Sequence, residues 1–255
     1  MFSVYATSEP EAHGTLFTTP SSLRRGPMAA AIFDLDGTLI DAVADIAAGV
    51  NRRFEQRGLA PLTDGEAAAL LGEGLRTFAR RAFNLRGLQV LESEIGDFVT
   101  EYIEAPVVHT RLYPGALEAL GTLRASGWRL AVCTNKAEVA AQRILEHFGL
   151  SGEFDAVCGG DVAPFRKPDP RHLQLTLDRA RFDGQPVVMI GDNKVDVSMA
   201  RGLGVPSVFA AWGYGTPEMA EGATAVAQTL RDLPGLLPVV MQRWQERERS
   251  NGSAS

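Results

Sequence analysis

Cysteine is nearly missing from this chain: its 255 residues include two, Cys133 and Cys158, each inside an apolar run. No CxxC pair and no Cys/His cluster accompanies them, which excludes a disulfide scaffold and a structural zinc site. The expectation is two packed thiols in a reducing, cytoplasmic setting. Long apolar runs are missing too. None approaches the ~18–20 residues that cross a bilayer. Positive charge is in deficit, since 25 Lys and Arg stand against 31 Asp and Glu, a formal net charge of −6. That balance argues against a general nucleic-acid or anionic-membrane surface. Histidine is scarce, and His109, His147 and His172 are expected as surface or capping groups. What is present in ordinary amount is apolar residue, 45% of the chain. This suffices for the core of one large domain or two modest ones.

The two ends differ from the middle. Residues 1–27 are rich in Ser, Thr, Gly and Pro, show no periodicity and lack the apolar centre of a secretory signal. A disordered extension is expected, with Met28 as the functional start. Residues 246–255 run charged and then Gly/Ser, and a disordered tail is expected there.

Between the ends, strand and helix patterns alternate. Ala30-Ala31-Ile32-Phe33 is apolar and ends in Asp34-Leu35-Asp36-Gly37. Val43, Ile46, Ala47, Val50 and Phe54 follow at helical spacing, and Gly58 stops that helix. From Leu62 to Thr110 no strand signal appears. Thr63 and Glu66 have the spacing of a capping box, and further helical stripes suggest an inserted all-helical subdomain. Alternation then returns: Trp128–Val132 predicts a strand, Ala137–Phe148 a helix, and Ala156–Cys158 a short strand. Pro170–Ala180 predicts a helix, Val187–Ile190 a strand buried on both faces, and Val195–Leu203 a helix. Val205–Phe209 predicts the last clear strand. Strands separated by helices imply a parallel sheet with helices on both faces.

Polar residues recur where the strands end. The first strand delivers Asp34 and Asp36, the second Thr134 and Asn135, and a later one Asp192, with Asp196 four residues on. In an open parallel sheet ligands bind outside the carboxyl ends of the strands. Lys167, in the loop Arg166-Lys167-Pro168-Asp169-Pro170, can reach the same crevice. Converging carboxylates raise one another's pKa unless a cation offsets them. A hard divalent ion, Mg²⁺ rather than a caged Ca²⁺, suits few carboxylates with room left for phosphate oxygens. A metal, an ammonium, a hydroxyl and an amide together suit phosphate.

These residues resemble the haloacid dehalogenase superfamily of phosphotransferases. Asp34-Leu35-Asp36-Gly37-Thr38-Leu39 is close to its DxDGT motif, Thr134 ends an apolar strand, and Lys167 precedes Pro168. Gly191-Asp192-Asn193-Lys194-Val195-Asp196 is like its GDxxxD motif. Leu71-Gly72-Glu73-Gly74, Leu112-Tyr113-Pro114-Gly115, Thr134-Asn135-Lys136, Gly159-Gly160-Asp161 and Gly213-Tyr214-Gly215 are most similar to the phosphoglycolate phosphatase family within it. Asn193 departs from that family's usual Ser, and Asp41-Ala42 from a common Asp-Ser.

The resemblance implies a Rossmann-like α/β core over 28–44 and 111–245, with a helical cap over 45–110. It implies a Mg²⁺-dependent phosphomonoester hydrolase working through an aspartyl-phosphate. Asp34 would be nucleophile and metal ligand. Asp36 would be general acid and then base, with its backbone carbonyl at the metal. Asp192 would be the third ligand, and Asp196 would act through water or orient Lys167. Thr134, Asn135 and Lys167 would hold phosphoryl oxygens. The implied reaction takes 2-phosphoglycolate to glycolate and phosphate. Another small phosphate ester, pyrophosphate, or a sugar-phosphate mutase reaction on the same core stay open, as does a catalytically silent binding protein. Arg76, just past Gly74, can be considered for a substrate carboxylate or as a solvated helix residue. The expected partner is a small phosphorylated metabolite, with no nucleic acid and no membrane, and the chain is expected as monomer or homodimer.

Overall fold

Strands buried on both faces have no need of polar alternation, and the centre of this protein is built from such runs. The computed structural model describes residues 29–252. In chain order it contains β1 (Ala30–Phe33), β2 (Ile40–Asp41), α1 (Val43–Glu55), α2 (Asp64–Ala69), α3 (Leu75–Leu85) and α4 (Glu92–Glu104). Then come β3 (Arg111–Leu112), α5 (Ala116–Ala125), β4 (Arg129–Cys133), α6 (Glu138–His147), β5 (Ala156–Cys158) and α7 (Pro170–Ala180). The chain continues with β6 (Val187–Gly191), α8 (Lys194–Leu203), β7 (Ser207–Ala210), β8 (Ala225–Ala227) and α9 (Leu233–Gly252).

Six strands form one sheet in the order β5-β4-β1-β6-β7-β8, and every pairing is parallel. The chain builds outward from β1 on one side, then crosses to β6 on the other. The loops after β1 and β6 therefore flank the point where strand order reverses, the place where such sheets hold ligands. Residues alternate between two cores. Ala30, Ile32, Ala131, Cys133, Val187 and Met189 pack with α7 and α8. Ala31, Phe33, Leu130, Val132, Val188 and Ile190 pack with α5, α6 and α9 on the other face. Cys133 and Cys158 are buried free thiols.

Between β2 and β3 the chain is helical, as the missing strand signal implies. The Thr63/Glu66 capping box is formed at the start of α2. Phe54 packs edge-on against Phe83 at 5.1 Å, and Phe78 stacks on Phe98 at 6.2 Å. Asp45, in the first turn of α1, fastens the returning chain. Its carboxylate accepts from the backbone N–H groups of Val108, His109 and Thr110 and from the Thr110 hydroxyl, all within 3.0 Å. Burial opposes the charge on Asp45, yet these donors hold its carboxyl below the ordinary carboxylate range.

The structure corrects several expectations. β2 and β3 pair antiparallel as a two-residue ribbon at the root of the helical block, too short for period-2 alternation to register. β8 adds a strand beyond β7. The expected tail from 246 continues α9 as far as Gly252, because Glu, Arg and Gln are good helix formers on a solvated face. The extension over 1–27 lies outside the described residues. His109 and His147 are exposed, but His172 is wholly buried, with its Nε2 atom 3.1 Å from the Gly159 carbonyl.

Candidate active site

β1 and β6 end side by side, and the Asp34 N–H donates to the Ile190 carbonyl at 2.9 Å. This brings Asp34 next to Asp192 and Asp196. One oxygen from each of the three carboxylates lies within 4.8 Å of the others, and all three residues are buried. Asp192 is gripped on both oxygens: the Thr38 hydroxyl donates at 3.2 Å and the Tyr214 N–H at 2.8 Å. Gly37 sits against it at φ +85°, and a Cβ there would overlap the Asp192 carboxylate. Only glycine serves at that turn.

Asp196 is fixed by the start of α8. Asn193 caps the helix by accepting from the Val195 N–H, while the Asn193 N–H donates to Asp196 at 3.1 Å. Asn is as good an N-cap as Ser, which explains why this departure from the family pattern keeps the local geometry. The other Asp196 oxygen lies 2.6 Å from Lys167 Nζ, and that ammonium is 2.8 Å from Asp34. Burial alone would strip the proton from Lys167, but the Asp196 and Asp34 carboxylates outweigh it and push its pKa up. Lys167 joins Pro168 through a cis peptide.

Three buried carboxylates thus face one ammonium. Burial, then the charges of Asp34 and Asp196, push the Asp192 carboxyl up to about 8. The cluster has an excess of negative charge, and hard oxygen donors are what a Mg²⁺ ion takes. The residues present fit that ion.

Asp36 stands apart from this cluster. Its two carboxylate oxygens are each 2.9 Å from Lys136 Nζ. Thr134, at the end of β4, is buried, and its hydroxyl oxygen accepts from the Lys136 N–H at 3.3 Å. The Asn135 side chain does not face the carboxylates. Its amide donates to the carbonyls of Gly72 at 2.9 Å and Lys167 at 3.1 Å, and its oxygen accepts from the Lys167 N–H at 3.0 Å. It clasps the Gly72 turn of the helical block to the lysine loop. Beside that clasp is a cavity of about 20 Å³. Asp36, Thr134 and Lys136 line it from the sheet, and Ile46, Leu71 and Leu75 from the helical block. Arg76 is outside it, with a half-exposed side chain 3.8 Å from Glu92.

Sequence reasoning named Asp34, Asp36, Thr134, Asn135, Lys167, Asp192 and Asp196, and the fold gathers all seven at one end of the sheet. It gave no role to Lys136 or to Tyr214. Tyr214 ties the loop after β7 to β2: its hydroxyl donates to Asp41 at 3.0 Å and accepts from the Ala42 N–H at 2.8 Å.

Comparison with known proteins agrees with this geometry. The haloacid dehalogenase-like hydrolase family model matches residues 31–210. A phosphoglycolate phosphatase from Agrobacterium fabrum is 39% identical over 217 residues, covering 84% of this chain and 92% of its own length. One from Rhodospirillum rubrum is 37% identical over 206 residues, covering 77% and 86%. Among solved structures, a predicted phosphoglycolate phosphatase from Haemophilus somnus superposes with a TM-score of 0.73 at 27% identity, covering 84% of this chain and 99% of that one.

Proposed function

The chain belongs to the haloacid dehalogenase-like hydrolase family, and from that premise we propose that it hydrolyses 2-phosphoglycolate to glycolate and inorganic phosphate. The observation that carries the reading is the pairing of Asp34 with Lys167 inside the carboxylate cluster, with Asp36 at the neighbouring crevice. The names of the relatives at 37–39% identity support the substrate.

Phosphate monoesters resist attack because their oxygens repel a nucleophile, so catalysis is mostly positioning and charge neutralisation. Asp34 attacks phosphorus with one carboxylate oxygen, forming an aspartyl-phosphate and splitting one hard displacement into two. Asp36 donates a proton to the departing alkoxide, then takes one from the water that cleaves the acyl-phosphate. Lys167, held between Asp34 and Asp196, neutralises a phosphoryl oxygen. The Thr134 hydroxyl donates to another, and since the Asn135 side chain is engaged elsewhere, its backbone N–H is the donor at that position. Asp34, the Asp36 backbone carbonyl and Asp192 would hold Mg²⁺, which supplies Lewis-acid neutralisation of the phosphoryl charge when bound. Residues 45–110 act as a cap whose Gly72 turn closes over the site and excludes bulk water.

The test is kcat/KM for 2-phosphoglycolate against sugar phosphates, nucleotides, phosphoserine and pyrophosphate, read as free phosphate. A tenfold preference for any of these, about 1.4 kcal/mol of transition-state binding, would overturn the substrate. A phosphorylated product without free phosphate would overturn hydrolysis in favour of a mutase.

A further inference from the structure

A lysine that sequence reasoning passed over occupies the crevice where a leaving group would sit. Lys136 follows Thr134 and Asn135 at the end of β4, and its side chain is 1% exposed. Its ammonium is 2.9 Å from both oxygens of Asp36 and 4.6 Å from the ring centre of Tyr102, which α4 contributes. Both the sheet and the helical block therefore fix its position.

The charges around the crevice are few. Lys167 is already bracketed by Asp34 and Asp196 and does not line the cavity. Arg76 points out to Glu92. Ile46, Leu71 and Leu75 present only apolar surface. Arg166 lies just outside, its guanidinium against Gly74, so among the residues lining the cavity a second anionic group on a bound ester meets one cation, the Lys136 ammonium.

We propose that Lys136 is a specificity-determining residue whose ammonium pairs with a carboxylate on the leaving group, so that the site selects phosphomonoesters of short hydroxy acids. The inference rests on the phosphatase reading above and adds to it the residue that reads the alcohol. A neutral alcohol of the same size leaves the ammonium with Asp36 alone and gains nothing from it. A carboxylate gains a desolvated, charge-assisted hydrogen bond beside an aromatic face. Asp36, no longer the sole partner of the ammonium, is left next to the ester oxygen that it serves.

The experiment compares kcat/KM for 2-phosphoglycolate with that for 2-hydroxyethyl phosphate, in which CH₂OH replaces the carboxylate. Both esters are measured on the same preparation of wild type, Lys136→Met and Lys136→Gln. Two variants are used because removing Lys136 unpairs the partly buried Asp36 and can impair folding of either one. The ratio cancels any loss of folded enzyme. Wild type should favour phosphoglycolate by about tenfold or more, the scale of one buried polar pairing. The ratio should collapse toward one in a folded variant, chiefly through a higher KM for phosphoglycolate. Equal losses on both esters, with the ratio kept, would overturn the role of Lys136 and leave the phosphatase reading standing. A wild-type ratio near one would overturn the phosphoglycolate assignment and this inference with it.

Discussion

Asp34 is the residue on which the chemistry turns. Asp34→Asn keeps the shape and removes one of three clustered carboxylates, while Lys167 retains Asp196. Turnover should fall by several orders of magnitude, the usual contribution of covalent catalysis, with the urea midpoint unchanged or higher. More than about a tenth of wild-type activity would contradict the nucleophile assignment. His172 makes a different prediction. Burial, then the charge of Lys167, pull its pKa from 6.5 down to about 4, and its Nδ1 has no partner among the described residues. Between those two pH values the unfolded chain binds at this residue a proton that the folded chain refuses, so the His172 contribution to stability falls as pH drops below about 6.5 and is nearly level above it. Urea unfolding at pH 7 and pH 5 should show wild type changing by about 2 kcal/mol more toward instability than His172→Leu, because Asp192, whose raised pKa acts in the opposite sense, titrates alike in both. An equal change with pH in both would refute the assignment. The residues legible in the sequence were those that end strands, since a parallel sheet brings its carboxyl ends together wherever the strands fall. Lys136 was not legible because its meaning depends on Tyr102, supplied by a helix distant in sequence. His172 read as a surface group because nothing local revealed the covering of α7.

At the level of elements, strength of pattern decided what could be read. The long stripes of α1, α3 and α4 and the apolar runs of β1, β4 and β6 declare themselves. The two-residue strands β2 and β3 do not, and β8 hides in Ala225-Val226-Ala227, where only Ala227 is buried. The helical block is anchored at α1 by Asp45, 8% exposed, whose carboxylate answers four donors from residues 108–110. Asp45→Ala strands those donors, and a buried donor left unpaired costs about 1–3 kcal/mol. The variant should lose about 3 kcal/mol in urea unfolding, while Asp64→Ala, in the exposed first turn of α2, should lose under about 1 kcal/mol. Equal losses at the two positions would mean that the strap is not an anchor.

For the whole molecule, the excess charge at one end of the sheet links metal binding to stability. Saturating a site at a hundred times its dissociation constant adds about 2.7 kcal/mol, and a domain of this size shifts by about 2–4 °C per kcal/mol. Chelator-stripped protein should therefore gain about 5–10 °C in thermal midpoint on adding Mg²⁺ without substrate. Phosphate release should vanish in chelator and return with the ion. An unmoved midpoint together with full activity in excess chelator would refute a metal site. The order of the sheet has one more consequence, for behaviour in a crowded solution. Its margins are β5 and β8, three residues each and without a charged side chain. An open margin of main-chain donors and acceptors is the surface on which strands from other molecules stack into fibres. Here a colliding chain finds too few rungs to hold it, so brevity rather than charge guards the native protein against fibre growth.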